Sequence, residues 1–84
     1  MRILLAEDQA MVRGALSALL SLSGEFDITQ AADGDEALAL LKTAEFDLLL
    51  TDIEMPGLSG LELANWCHQN RPKLKIVIIP TFGR

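Results

Sequence analysis

Short apolar runs alternate with segments of helical period along this chain, and that alternation restricts the fold more than any other feature. Residues 2–6 are a short apolar run that stops at Glu7 and Asp8, which reads as a buried strand. Val12, Ala15, Leu16, Leu19 and Leu20 then recur at helical spacing, one face of a helix that ends at Ser23-Gly24. Phe26 to Ala31 can form a second strand. Asp33 precedes Glu36 by three residues, a capping-box spacing, and Ala37, Leu40, Leu41 and Ala44 follow as a second helical face. Phe46 to Thr51 holds three consecutive leucines, Leu48 to Leu50, which predict a strand buried on both faces. After a turn at Pro56-Gly57, Ser59 and Glu62 repeat the capping box. Leu61, Ala64 and Cys67 give the third helical face, and Asn70-Arg71-Pro72 stops it. Ile76 to Ile79 is the fourth strand and the most apolar.

The order is βαβαβαβ. Parallel strands joined by right-handed crossover helices leave few topologies, and an open, doubly wound α/β sheet is the expected one. Such sheets bind ligands outside the carboxyl ends of the strands, where the winding direction reverses. Glu7 and Asp8 end strand 1, Asp52 ends strand 3, and Glu54 follows just beyond. In the strand order 2-1-3-4, strands 1 and 3 are neighbours, so these carboxylates converge. Converging carboxylates raise one another's pKa unless a cation sits among them. Hard oxygen ligands at a partly open site suit Mg²⁺. A carboxylate beside Mg²⁺ can also attack phosphorus to form an acyl phosphate. The other reading of the same acids is a polar strand end at Glu7-Asp8 and a turn cap at Asp52.

Composition removes competing classes. One cysteine excludes an intramolecular disulfide framework, and one histidine excludes a multi-histidine metal centre. No apolar stretch approaches the roughly 20 residues of a membrane span, and Glu7-Asp8 interrupts any apolar run of a signal peptide. Residues 1–62 carry all twelve acids and three bases, net −9, which disfavours non-specific contact with nucleic acid. Residues 63–84 carry four bases and no acid, net +4. The expectation is a single soluble cytoplasmic domain over residues 1–84, without membrane or direct nucleic-acid contact.

Ala6-Glu7-Asp8, together with Leu50-Thr51-Asp52-Ile53-Glu54-Met55-Pro56-Gly57 and Ser59-Gly60, resembles the receiver domain of two-component response regulators. The branch it resembles most carries a helix-turn-helix output domain. The resemblance implies a flavodoxin-like fold and assigns roles. Asp52 would be the phospho-acceptor. Asp8, Asp52, the backbone carbonyl of Glu54, and Glu7 through water would hold Mg²⁺. Met55, Pro56 and Gly57 would shape the acceptor loop. The donor would be a phosphohistidine on a sensor histidine kinase, or a small phosphodonor. The chain would be an acceptor in signalling rather than an enzyme.

The sequence departs from that family in two places. It stops after strand 4, so a helix, a strand and a helix are expected to be missing, along with the lysine that pairs with the acceptor. Lys73 and Lys75 lie before strand 4, at the wrong end. The family's Ser or Thr at the end of strand 4 would fall at position 80, where this chain has Pro80, leaving Thr81 as the candidate switch hydroxyl. Proline supplies neither hydroxyl nor N–H. Three readings follow: a receiver fragment with impaired phosphotransfer, a shortened chain with no phosphotransfer, and an interaction module that binds a receiver or kinase. An uncovered strand 4 would expose an edge and favour a homodimer or higher oligomer.

Other residues read plainly. His68 is a solvated helix residue, Cys67 a core position, and Trp66 a partly exposed candidate for partner contact. The basic tail is solvated loop. Asp33-Gly34-Asp35-Glu36 fails the EF-hand spacing, and Glu7-Asp8-Gln9 lacks the Asp-x-Asp of a haloacid-dehalogenase-like phosphatase.

Overall fold

The structure, a computed structural model, describes residues 1–80. Its elements are β1 (Arg2–Ala6), α1 (Ala10–Ser21), β2 (Asp27–Ala31), α2 (Gly34–Thr43), β3 (Leu48–Asp52), α3 (Gly60–Asn70) and β4 (Lys75–Ile79). All strand pairs are parallel, in the order β2-β1-β3-β4. The four strands fall on the predicted apolar runs, with ends shifted by one or two residues. Lys75, placed before strand 4 by sequence, is its first residue and pairs with Leu48. Among the described residues, no helix is long and apolar enough to cross a membrane.

Register sorts the side chains. Leu4, Leu49 and Ile76 are aligned across three strands. Leu4 and Leu49 join Ala37, Leu41, Leu63 and Cys67 in the buried core, with Ile76 packed against it. The core therefore lies between the sheet and the pair α2 and α3. Complete burial of Leu49 contributes about 1.5–3 kcal/mol relative to exposure.

Both capping signals are realised. The Asp33 side chain accepts from the Glu36 N–H at 2.7 Å, while the Glu36 carboxylate accepts from Ala32. Ser59 and Glu62 form a complete reciprocal box at 3.0 and 3.1 Å. Each satisfies donors that a helix start leaves open.

The opposite face departs from expectation. No residue of α1 is fully buried: Val12, Leu16 and Leu20 are half-buried, and Leu19 is 64% exposed. Leu48 and Leu50 are only half-buried, and Val77 is exposed. The reason is coverage. α1 packs on β1 and β2, and no other helix among the described residues lies beside it over β3 and β4. β4 has one strand neighbour among the described residues, and Ile78 is exposed with Val77.

Candidate functional site

The register of β1 on β3 brings the acids together. Ala6 pairs with Thr51, so the next residues, Glu7 and Asp52, stand side by side at the carboxyl edge. Both are completely buried, and Asp8 beside them is half-buried. One carboxylate oxygen from each of Glu7, Asp8 and Asp52 lies within 4.8 Å of the others.

The backbone around Glu7 is fixed on three sides. Its N–H donates to the Ala31 carbonyl at 3.1 Å, carrying the β1–β2 ladder one residue further. Its carbonyl accepts from Arg13 Nη1 at 2.8 Å, and its Oε1 accepts from the Gln9 N–H at 3.0 Å. Burial, first of all, pushes the Glu7 carboxyl above its ordinary range. The Gln9 N–H opposes the rise. The charge of Asp52, and contacts to Asp52 and Asp8 that require a proton, add to it.

These groups fit a divalent cation. Among the described residues, no N–H or O–H donates to the buried Glu7 Oε2. A buried carboxylate oxygen without a donor is costly, and a cation among the three acids would satisfy it. Two oxygens on one Mg²⁺ at about 2.1 Å lie at most about 4.2 Å apart, so the cluster needs only slight tightening.

The loop after β3 is held by close backbone approaches. Gly60 donates to the Ile53 carbonyl at 2.8 Å, and its Cα faces the Asp52 carbonyl with no room for a side chain. Gly34, at the start of α2, leaves equally little room beside the Leu58 carbonyl. Gly57 has φ +76° against the Asp35 carboxylate, a conformation that glycine adopts without strain. Met55 is buried in the core, whereas Pro56 is exposed. Thr51 Oγ1 donates to the Asp52 carbonyl at 2.9 Å.

Glu7, Asp8 and Asp52 thus meet as the sequence predicts. Glu54 is exposed, two residues beyond β3. Pro80 is exposed and directly follows Ile79, the partner of Asp52. Thr81 lies outside the described residues. His68 is exposed and Cys67 is buried, its thiol pushed up by burial against the opposing charge of Arg71. Arg13 had no role assigned from sequence, and Gly60 only a place in the Ser59-Gly60 motif. An arginine one turn into α1 and a glycine after the Ser59 cap were visible, but not what they touch.

Comparison with known proteins places this arrangement. The family model described as "Response regulator receiver domain" matches residues 3–84. The chain is 40% identical to the "Uncharacterized transcriptional regulatory protein YvfU" of Bacillus subtilis, over 99% of this chain and 42% of that protein. It is 42% identical to the "Response regulator receiver protein CpdR" of Brucella abortus, over 98% of this chain and 68% of that protein. Its fold matches the response regulator TrrA of Thermotoga maritima, solved in complex with Mg(2+)-BeF, with a TM-score of 0.89 and 34% identity. That match covers 98% of this chain and 70% of the solved one. The chain spans about two fifths of the Bacillus transcriptional regulators it matches.

Proposed function

The chain belongs to the response regulator receiver domain family, and from that premise we propose that it accepts a phosphoryl group on Asp52 with the help of Mg²⁺. The observation that carries this reading is the meeting of Glu7, Asp8 and Asp52 within 4.8 Å, with no donor to Glu7 Oε2 among the described residues. Asp8, Asp52 and the Glu54 carbonyl would hold the ion, with Glu7 acting through water. When bound, Mg²⁺ offsets negative charge on the transferring phosphoryl group.

The remaining chemistry belongs to the chain. An Asp52 carboxylate oxygen attacks phosphorus, an acyl phosphate O–P bond forms, and the donor's P–N or P–O bond breaks. The electron pair leaves with the donor, a phosphohistidine of a sensor histidine kinase or a small acyl phosphate. Glu7, fixed through Gln9, Arg13 and Ala31, keeps the acidic edge in register with Asp52. Gly60 holds the acceptor's backbone against the start of α3. Pro80 brings no hydroxyl to the edge beside Asp52, so the phosphorylated state lacks that contact from this position. Thr81 is the candidate to replace it.

Incubation with acetyl phosphate and Mg²⁺, followed by intact mass, tests the proposal. One added phosphoryl group that Asp52→Asn abolishes is expected. An unchanged mass, or labelling that persists in Asp52→Asn, would overturn it.

A further inference from the structure

At the opposite pole, where the strands begin, lies a cleft of about 1140 Å³ between the β1 start, the α2–β3 connection and the α3–β4 connection. Arg2, Lys42, Arg71, Lys73 and Lys75 line it, five of the chain's seven bases. Among the described residues, only Glu45 and Asp47 oppose them there. The lining is thus net +3 in a chain of −5, which leaves −8 for everything else.

Two of the cations are fixed. The Arg2 guanidinium lies 5.2 Å from the Phe46 ring centre, and the Arg71 guanidinium 5.2 Å from that of Trp66. Arg71 also donates to the carbonyls of Asn70 at 2.8 Å and Leu41 at 3.2 Å. The Asp47 carboxylate accepts from the Arg2 N–H at 2.7 Å. Lys42, Lys73 and Lys75 are exposed. Between the charges the lining is apolar, with Leu41 buried and Phe46 and Leu74 half-buried.

We propose that this cleft docks an acidic polypeptide segment in extended form, its carboxylates on the three lysines and an apolar side chain against Phe46 and Leu74. Three features select that occupant. The cleft, about 1140 Å³ and reaching across three chain segments, has room for more than a single small anion. Three long, separate ammonium groups match carboxylates spread along a chain, whereas a compact phosphate calls for converging donors. Finally, α2 and α3 end here, and carbonyl oxygens at helix ends can accept N–H groups from a peptide backbone, which an inorganic anion does not offer.

The test is anisotropy of a fluorescent peptide of alternating glutamate and leucine, with Trp66 emission as a second readout beside the stacked Arg71. Saturable binding that weakens with salt is expected, and Lys42→Glu with Lys75→Glu should weaken it about tenfold. Both positions are exposed, and circular dichroism checks the fold. The milder pair Lys42→Gln and Lys73→Gln should weaken binding in the same direction. Unchanged affinity in both variants, no saturation at millimolar peptide, or tighter binding of a single-stranded oligonucleotide would overturn the proposal.

Discussion

Replacing Gly60 by alanine puts a methyl group 2.9 Å from the Asp52 carbonyl carbon, 3.2 Å from the Ile53 Cα, and closer still to the Asp52 oxygen. All three are backbone atoms, so no side chain can swing away. Relief requires α3 to lift off the end of β3, which stretches the 2.8 Å bond from Gly60 to Ile53. Forcing extra volume into a packed site costs about 1–3 kcal/mol, and alanine's better helix propensity returns under about 1 kcal/mol. A net loss of about 1–2 kcal/mol is expected, sizeable against the roughly 5–15 kcal/mol of a typical domain. Gly14 is the internal control. It lies within α1 with nothing within 4 Å of an added Cβ, so Gly14→Ala should stabilise by about 0.5–1 kcal/mol. Urea denaturation followed by Trp66 fluorescence measures both. Because the displaced atoms belong to Asp52, Gly60→Ala should also weaken Mg²⁺ binding, while Gly14→Ala should not. A Gly60→Ala protein as stable as its parent, with unaltered Mg²⁺ affinity, would mean that the close approach of Gly60 to Asp52 does not constrain the site.

The Glu7 carboxyl is raised in the fold, so the unfolded chain loses that proton first as pH rises. In metal-free buffer its contribution is therefore full below its ordinary value of 4.5 and is lost as pH climbs through the raised value. Glu7→Gln should remove this part of the slope and stabilise the metal-free protein at pH 7; an identical pH profile would contradict the burial argument. Leu49→Ala should cost about 2–5 kcal/mol, whereas Leu19→Ala on the open side of α1 should stay within about 0.5 kcal/mol. Comparable losses at the two positions would mean that the faces of the sheet are not covered as described. Ser59→Ala, which opens the α3 capping box, should cost about 1 kcal/mol by denaturant midpoint.

The strand order and the meeting of the acids were legible because both follow from period and register. Apolar runs placed the strands, and one shared edge between β1 and β3 brought Glu7 beside Asp52. What periodicity cannot report is how completely a face is covered. Leu19 has helical spacing identical to that of Leu16, yet α1 covers only β1 and β2, so its side chain stays in solvent. Close backbone approaches were also illegible. Gly60 stood in the sequence as part of the Ser59-Gly60 motif and Gly34 within a stretch that fails the EF-hand spacing, and only the fold shows the carbonyls of Asp52 and Leu58 against them. The tail shows the same limit. It read as solvated loop, whereas Arg71 is held on Trp66 and on the α2 carbonyl of Leu41.

In the proposed function Asp52 carries the phosphoryl group and the acidic edge needs Mg²⁺ to receive it. Borohydride reduces an acyl phosphate to the alcohol, so treating the phosphorylated protein and mapping its peptides identifies the modified carboxylate. Homoserine is expected at position 52 alone, after incubation with Mg²⁺ and not after chelation. Homoserine at another acid, or at position 52 irrespective of Mg²⁺, would contradict it.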